Sequence, residues 1–451
     1  MNNPRFAIPS VLLCAAVFYV GGAPCQARPG AHKETNRTGN AAVLPVVKPE
    51  MEGFSAQRLD RLHGLLRKEV EDGHFAGIVT ALARHGKIVD FASYGKKDLA
   101  SGASMTDDTI FRIYSMTKPI TGVAMMILYE QGKWSPGDPI SKYIPEFAHL
   151  KVFKGSGSDG QPILEDPAHP PTMGELMSHN AGFTYGIFGS SAVDKMYRDA
   201  KVLGSRNLQE MVDKLARIPL LYQPGTKWVY SVSVDIQGYI VEKLSGKPLG
   251  EFMRENIFQP LGMKDTAFHV DEGKRGRFAT LYSTNASGEL SPTAGGNVAL
   301  DYRTEPGMPS GGGGLTSTTS DYLRFAQMLL NGGELGGVRI LAPSSVALMR
   351  TNRLSPAILN SGEYGIGFFR LSPSLGFGFD FAVYIDPGFI GHTVGKGTFT
   401  WGGAAGTWFW IDPANDIVFV GMVQRIIDPK SPDLDTLAHE SVYQALVNPE
   451  R

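Results

Sequence analysis

The sequence predicts an α+β fold, an α/β sandwich in which an antiparallel β-sheet is flanked by N- and C-terminal helices and carries a mostly α-helical insert. Three observations predict it. Apolar residues recur at helical spacing near both ends, at 55–70 and 433–447. Strand-like runs bounded by turn residues lie beside those helices, around His85-Gly86 and at 364–371, 379–385, 397–402, 405–411 and 416–423. Between them, segments such as 208–217, 234–245 and 320–331 have the pattern of helices. The expectation is one intertwined two-part domain over 51–447, with an α/β part at about 51–132 and 336–447 and a helical part at about 133–335.

Residues 1–27 read as an export signal: Arg5, then the apolar run Val11 to Val20, then a small-residue cleavage site at Cys25-Gln26-Ala27. The run is too short for a spanning helix, so no stable membrane insertion is expected once it is removed. Both cysteines, Cys14 and Cys25, lie inside this segment, so the mature fold has no disulfide. The compartment implied is periplasmic or extracellular. Residues 28–50 are polar and proline-bearing and are expected to be a flexible lead-in. Ser55 then caps a helix through about Val70, with Leu59, Leu62, Leu65 and Leu66 on its apolar face.

After the hairpin comes Ser115-Met116-Thr117-Lys118, at the head of the uncharged run Ile120 to Tyr129, which stops at Gln131-Gly132. Pro119 is tolerated there because first-turn N–H groups have no intrahelical partner. Residues three apart share a helix face, so the Lys118 amine can reach the Ser115 hydroxyl. A serine becomes a useful nucleophile only when a base takes its proton, and this pair supplies both without a histidine. Unpaired N–H groups at the helix start favour the negative charge that develops in acyl transfer. A second Ser-x-x-Lys, Ser93 to Lys96, ends an alternating strand that sends the two side chains apart, so it reads as structural.

The stretch Phe111 to Thr121 resembles the nucleophile region of the serine β-lactamase and penicillin-binding-protein superfamily, and is most similar to the class C β-lactamase-like family VIII carboxylesterases. Further pieces match in order: Pro171 to Gly182, Gln223 to Ser231, Gly311 to Ser317, and Trp401-Gly402-Gly403 through Pro413. The resemblance implies a β-lactamase/transpeptidase-like fold. It makes Ser115 the nucleophile, Lys118 its activating amine, and Tyr230 a base or proton relay. It places the oxyanion hole at the backbone N–H groups of Ser115 and Ala404. Which of the amine and the phenol is deprotonated stays open. Trp401, Gly402, Gly403, Tyr114 and Tyr185 are the expected substrate-binding residues.

Two departures shape the functional reading. Where class C β-lactamases carry Tyr-x-Asn, this chain has Tyr230-Ser231-Val232, and where they carry Lys-Thr-Gly it has Trp401-Gly402-Gly403. The amide for a lactam side chain and the cation for a substrate carboxylate are both replaced, the latter by a flat apolar ring. A serine carboxylesterase acting on short-chain or bulky esters is therefore expected. The alternatives are a β-lactamase or D-alanyl-D-alanine carboxypeptidase, and a non-catalytic ligand sensor on the same fold.

Other chemistries lack their residues. A formal net charge of −1 gives no electrostatic basis for binding nucleic acid. The histidines form no His-x-x-x-His pair, and no Gly-x-Ser-x-Gly elbow or phosphate loop occurs, so no metal or cofactor is expected. The expected partner is a small-molecule ester.

Overall fold

A computed structural model describes residues 44–293, 301–362, 365–366, 369–370 and 371–449. The export signal read at 1–27 and most of the lead-in lie outside the described residues.

The first helix, α1 (Ala56–Glu71), starts as the sequence predicts, with the Ser55 side chain accepting from the Arg58 N–H. Such a cap stabilises a helix by about 1 kcal/mol. Leu59, Leu62 and Leu66 are buried, each contributing roughly 1.5–3 kcal/mol of apolar burial. Leu65, expected on the same face, is 42% exposed, because the buried stripe is narrower than the leucine cluster suggests. The chain continues through β1 (Gly77–Arg84), β2 (Lys87–Asp98) and β3 (Ala103–Ser104) to the buried helix α2 (Thr117–Glu130), then on to α3 (Ser233–Ser245) and α4 (Thr319–Leu330). It closes with β4 (Leu375–Phe377), β5 (Ala382–Tyr384), β6 (Phe399–Gly402), β7 (Trp408–Asp412), β8 (Ile417–Met422) and helix α5 (Leu434–Ala445).

These eight strands form one antiparallel sheet in the order β4-β5-β6-β7-β8-β1-β2-β3. The N-terminal hairpin joins the C-terminal meander through β1 and β8, with Val79 opposite Met422 and Arg84 opposite Ile417. Side chains alternate between the two faces. Ile78, Leu82, Trp408, Trp410, Ile417 and Phe419 pack with α1 and α5 in one core. Val79, Ala81, Phe409, Ile411, Val418 and Val420 belong to the larger core that also takes in α2, α3 and α4.

Four expectations need correction. The end of the lead-in is fixed rather than flexible. Leu44 is buried, and residues 45–47 bond to Ile88, whose N–H donates to Pro45 and whose carbonyl accepts from Val47. Adding a strand-like rung to β2 satisfies backbone groups that composition alone could not pair. Helix α4, placed by the sequence in the helical part, packs on the sheet instead, with Tyr322 against Phe409 at 5.0 Å between ring centroids. Of the run read as a strand at 364–371, the described residues Gly365–Ile366 and Phe369–Arg370 pair with each other in a separate two-stranded sheet. Trp401 lies on an internal strand, not an edge. Yet β5 pairs β6 only at Phe399 and Thr400, which leaves the Trp401-Gly402 end without that neighbour.

Candidate active site

Three segments converge on Ser115, and each is brought there by its own local structure. Phe111 and Arg112 pair with Ser317 and Thr316, and the Ile113 N–H donates to Leu315 O. The chain then reverses at Tyr114, whose φ of +41° is rarely adopted by a bulky side chain. Holding such a residue costs about 1–3 kcal/mol, and the surrounding packing must enforce it. A short 3-10 turn, Tyr114–Met116, leads into α2. That junction is stitched to the glycine run at 311–314. The Leu315 N–H donates to Thr117 Oγ1 at 3.1 Å, Thr121 Oγ1 to Gly311 O at 2.8 Å, and the Tyr322 hydroxyl to Met116 O at 3.0 Å.

The structure brings Ser115, Lys118 and Tyr230 together. Lys118 Nζ donates to Ser115 Oγ at 3.2 Å and to Gly312 O at 2.6 Å, and the Tyr230 hydroxyl donates to Ser115 Oγ at 2.7 Å. The amine sits 4.5 Å from the Tyr230 ring centroid and 5.3 Å from that of Tyr185. Lys118 is fully buried, and so are the titratable groups around it. Burial raises the Asp235 carboxyl, opposed by a hydrogen bond from Ser310, the Lys118 charge and the Gly312 N–H. Asp380 is pushed well above the usual carboxylate range by burial, with Gln237 and Lys118 opposing. Burial lifts the Tyr185 phenol well above its ordinary range, and Asp235 adds to it.

The third segment is the turn after β6. Gly403 N–H donates to Thr407 O at 2.7 Å, and Gly406 N–H to Gly403 O at 2.9 Å. A Cβ on Gly403 would lie 2.4 Å from Ile113 O and 2.3 Å from Thr407 Oγ1, so only glycine fits. This contact seats the 403–406 turn against Ile113, two residues before Ser115. Gly402 and Ala404 are exposed there.

Aromatic rings wall the site. Trp401 and Tyr185 each stand 5.5 Å from the Tyr230 ring, and Phe377 stands 5.3 Å from Trp401. Phe188, 59% exposed, reaches within 5.8 Å of Tyr230. Tyr114 takes a different position from the one expected. Its ring packs with Leu281, Ala405 and Ile426 behind the 403–406 turn, and burial pushes its phenol up to about 12. It supports the wall from behind.

No local pattern along the chain assigns a role to the buried carboxyls around the amine. Asp235 follows Tyr230 by five residues at the head of α3, and Asp380 lies in a left-handed turn at φ +67°. His179, also at positive φ, has Nδ1 accepting from the Ser231 N–H at 3.2 Å and lying 3.0 Å from the Ser231 hydroxyl. Burial and then the Lys118 charge hold it well below its usual range. It is a neutral prop for the Tyr230 segment. Buried acids near a lysine have no local sequence signature; only Asp235's fixed distance from Tyr230 could have drawn notice.

The Beta-lactamase family profile matches residues 62–443. Protein Rv1367c of Mycobacterium tuberculosis is 34% identical over 82% of this chain and 91% of its own length. Esterase EstB of Burkholderia gladioli is 28% identical over 85% of this chain and 94% of its own. Among solved structures, EstCE1, described as a hydrolase with promiscuous acyltransferase activity, superposes with a TM-score of 0.71 at 27% identity, covering 86% of this chain and 98% of its own.

Proposed function

The chain belongs to the Beta-lactamase family and is a serine hydrolase, and from that premise we propose that it cleaves carboxylic esters through an acyl-enzyme on Ser115. The observation that carries the reading is the meeting of hydroxyl, amine and phenol within 3.2 Å and 2.7 Å of one oxygen. Ser115 Oγ attacks the ester carbonyl carbon as its proton passes to Lys118 or Tyr230, and the carbonyl oxygen becomes an oxyanion. The N–H groups of Ser115 and Ala404 are the proposed donors to it, each worth about 10²–10³ in turnover. Collapse breaks the carbon–alkoxide bond, and the phenol or amine returns the proton to the departing alcohol. Water then attacks the acyl-serine by the same proton route, releasing the acid and restoring the hydroxyl.

Esters are favoured over lactams and peptides by what lines the site. Trp401 occupies the third-motif position, and Tyr185, Phe188 and Phe377 extend an aromatic wall that suits apolar acyl or alcohol groups. Export to the periplasm or medium is part of the proposal, and sequencing the N-terminus of protein secreted from cells checks it. The decisive experiment compares p-nitrophenyl acetate and butyrate with nitrocefin and a D-Ala-D-Ala peptide. The esters should be turned over best, and Ser115→Ala should lose both turnover, by at least about 10³-fold, and labelling by a fluorophosphonate. Preference for lactam or peptide overturns the esterase reading; equal labelling of Ser115→Ala overturns the nucleophile.

A further inference from the structure

We propose that Asp235 is a positioning residue of this site, holding the Gly312 carbonyl against the Lys118 amine and so fixing that amine beside Ser115. The inference rests on the reading of Ser115 as nucleophile and Lys118 as the amine that activates it. Lys118 Nζ has two described hydrogen-bond partners, and the shorter bond, at 2.6 Å, is to Gly312 O rather than to Ser115 Oγ at 3.2 Å. The carbonyl is therefore the anchor from which the amine reaches the nucleophile.

What holds the carbonyl is less obvious, because it belongs to a turn of consecutive glycines, the backbone with the most freedom to lose. Two clamps fix it. Thr121 Oγ1 donates to Gly311 O from α2. From α3, Asp235 Oδ1 accepts both the Ser310 hydroxyl and, at 3.1 Å, the Gly312 N–H, pinning residues 310 and 312 with one oxygen. The fit is close. A Cβ on Gly312 would stand 2.7 Å from Asp235 Oδ2 and 3.0 Å from the Tyr185 hydroxyl. Asp235 lies in the first turn of α3, five residues after Tyr230, so one helix entry sets both the phenol on the serine and the carboxyl on the glycine run.

Other groups facing the amine act elsewhere. Tyr230 bonds the serine, His179 holds Ser231, and Asp380 accepts from Gln237 at 2.9 Å while its Oδ2 packs against Gly122. Tyr185 faces the amine with its ring. Asp235 alone among these bonds the backbone that bonds Lys118.

The test uses the full-length protein and the variants Asp235→Ala and Asp235→Asn. Readouts are kcat and KM on p-nitrophenyl butyrate, the rate of fluorophosphonate labelling, and the folded fraction by circular dichroism. A misplacement of about 1 Å in a reacting group can cost 10²-fold, so Asp235→Ala should lower kcat and labelling by roughly 10- to 100-fold with KM within about 2-fold. Asp235→Asn should recover to within about 3-fold of wild type, because the amide oxygen still accepts from Ser310 and Gly312. The proposal is overturned if folded Asp235→Ala keeps kcat within about 2-fold, or if the asparagine is as impaired as the alanine. Labelling needs no ester substrate, so a wrong ester assignment leaves this test intact. A failed nucleophile reading shows differently, as wild type labelling no faster than Ser115→Ala, and removes the role of the amine that Asp235 is held to position.

Discussion

Two histidines are buried among aromatic rings in the two different cores, and only one stands beside the proposed nucleophile. His179 lies 5.1 Å from the Tyr230 ring and 5.5 Å from Phe377. His439, on α5, lies 3.9 Å from the Trp410 ring, tilted by 30°, and 6.0 Å from His392. Burial holds both below the usual histidine range, His439 at about 4. A shifted titratable group in an aromatic setting is thus not what marks the site. The difference lies in what each imidazole supports. His179 accepts the N–H beside Tyr230, whereas the polar neighbour of the His439 ring is Asp435, whose Oδ1 approaches Nδ1 at 3.4 Å. Desolvation perturbs both; only His179 also lies beside Tyr230, which bonds the proposed nucleophile.

The largest effect that separates the two regions comes from the amine beside the first. Lys118→Ala should reduce the acylation rate by about 10²–10⁴-fold with the fold retained, as measured by stopped-flow ester hydrolysis and circular dichroism. A near-normal rate would take the lysine out of the mechanism. The next contrast is between the histidines themselves. Replacing either by alanine opens a cavity beside large rings and should cost about 2–4 kcal/mol of stability. His179→Ala should also lower kcat by roughly 10-fold, because the Ser231 N–H loses its acceptor and Tyr230 its backing. His439→Ala should leave kcat per folded molecule unchanged. Equal loss of kcat in both variants would erase the distinction drawn here.

The smallest effect is on stability against pH, and it sharpens the account of the second region. A histidine held down to about 4 contributes stability that is present above about 6.5 and lost as pH falls towards 4. His439→Gln should therefore gain on wild type over that descent, by at most about 3 kcal/mol. Burial raises the Asp435 carboxyl to about 7, so between about 3.8 and 7 the native state binds the extra proton and stability rises as pH falls. Asp435→Asn should gain on wild type in the opposite direction, as pH rises towards 7. The gain should be modest, since 32% of that side chain is exposed. Thermal melts from pH 4 to 8 read both slopes, and slopes of the same sign would refute the assignment.

Much of the architecture was legible along the chain. The Ser55 cap, the helices near 208–217, 234–245 and 320–331, and strands close to 397–402, 405–411 and 416–423 are set by periodicity and turn residues acting over a few positions. The layer in which a helix packs was not legible. Residues 319–330 have the same apolar pattern whether they face other helices or the sheet, and only the contact of Tyr322 with Phe409 settles it. Tyr114 shows the same limit at the site. Next to Ser115 it reads as a substrate contact, yet its positive φ turns the ring into the cluster behind the 403–406 turn.

By itself the sequence determined the spacing of Ser115 and Lys118 on one helical turn and the replacement of a cation by Trp401, because both are properties of neighbouring residues. Only the tertiary structure decided that Tyr230 donates to that serine, that Gly403 presses on Ile113, and that Asp235 grips the glycine run. Those contacts join positions from about 75 to nearly 300 residues apart, as the separations recorded for Asp235 with Gly312 and Thr407 with Ile113 illustrate. Short-range propensity carries no information over such distances. Long-range packing fixes them, by bringing a buried amine into a place where hydrogen bonds must replace the water it has lost.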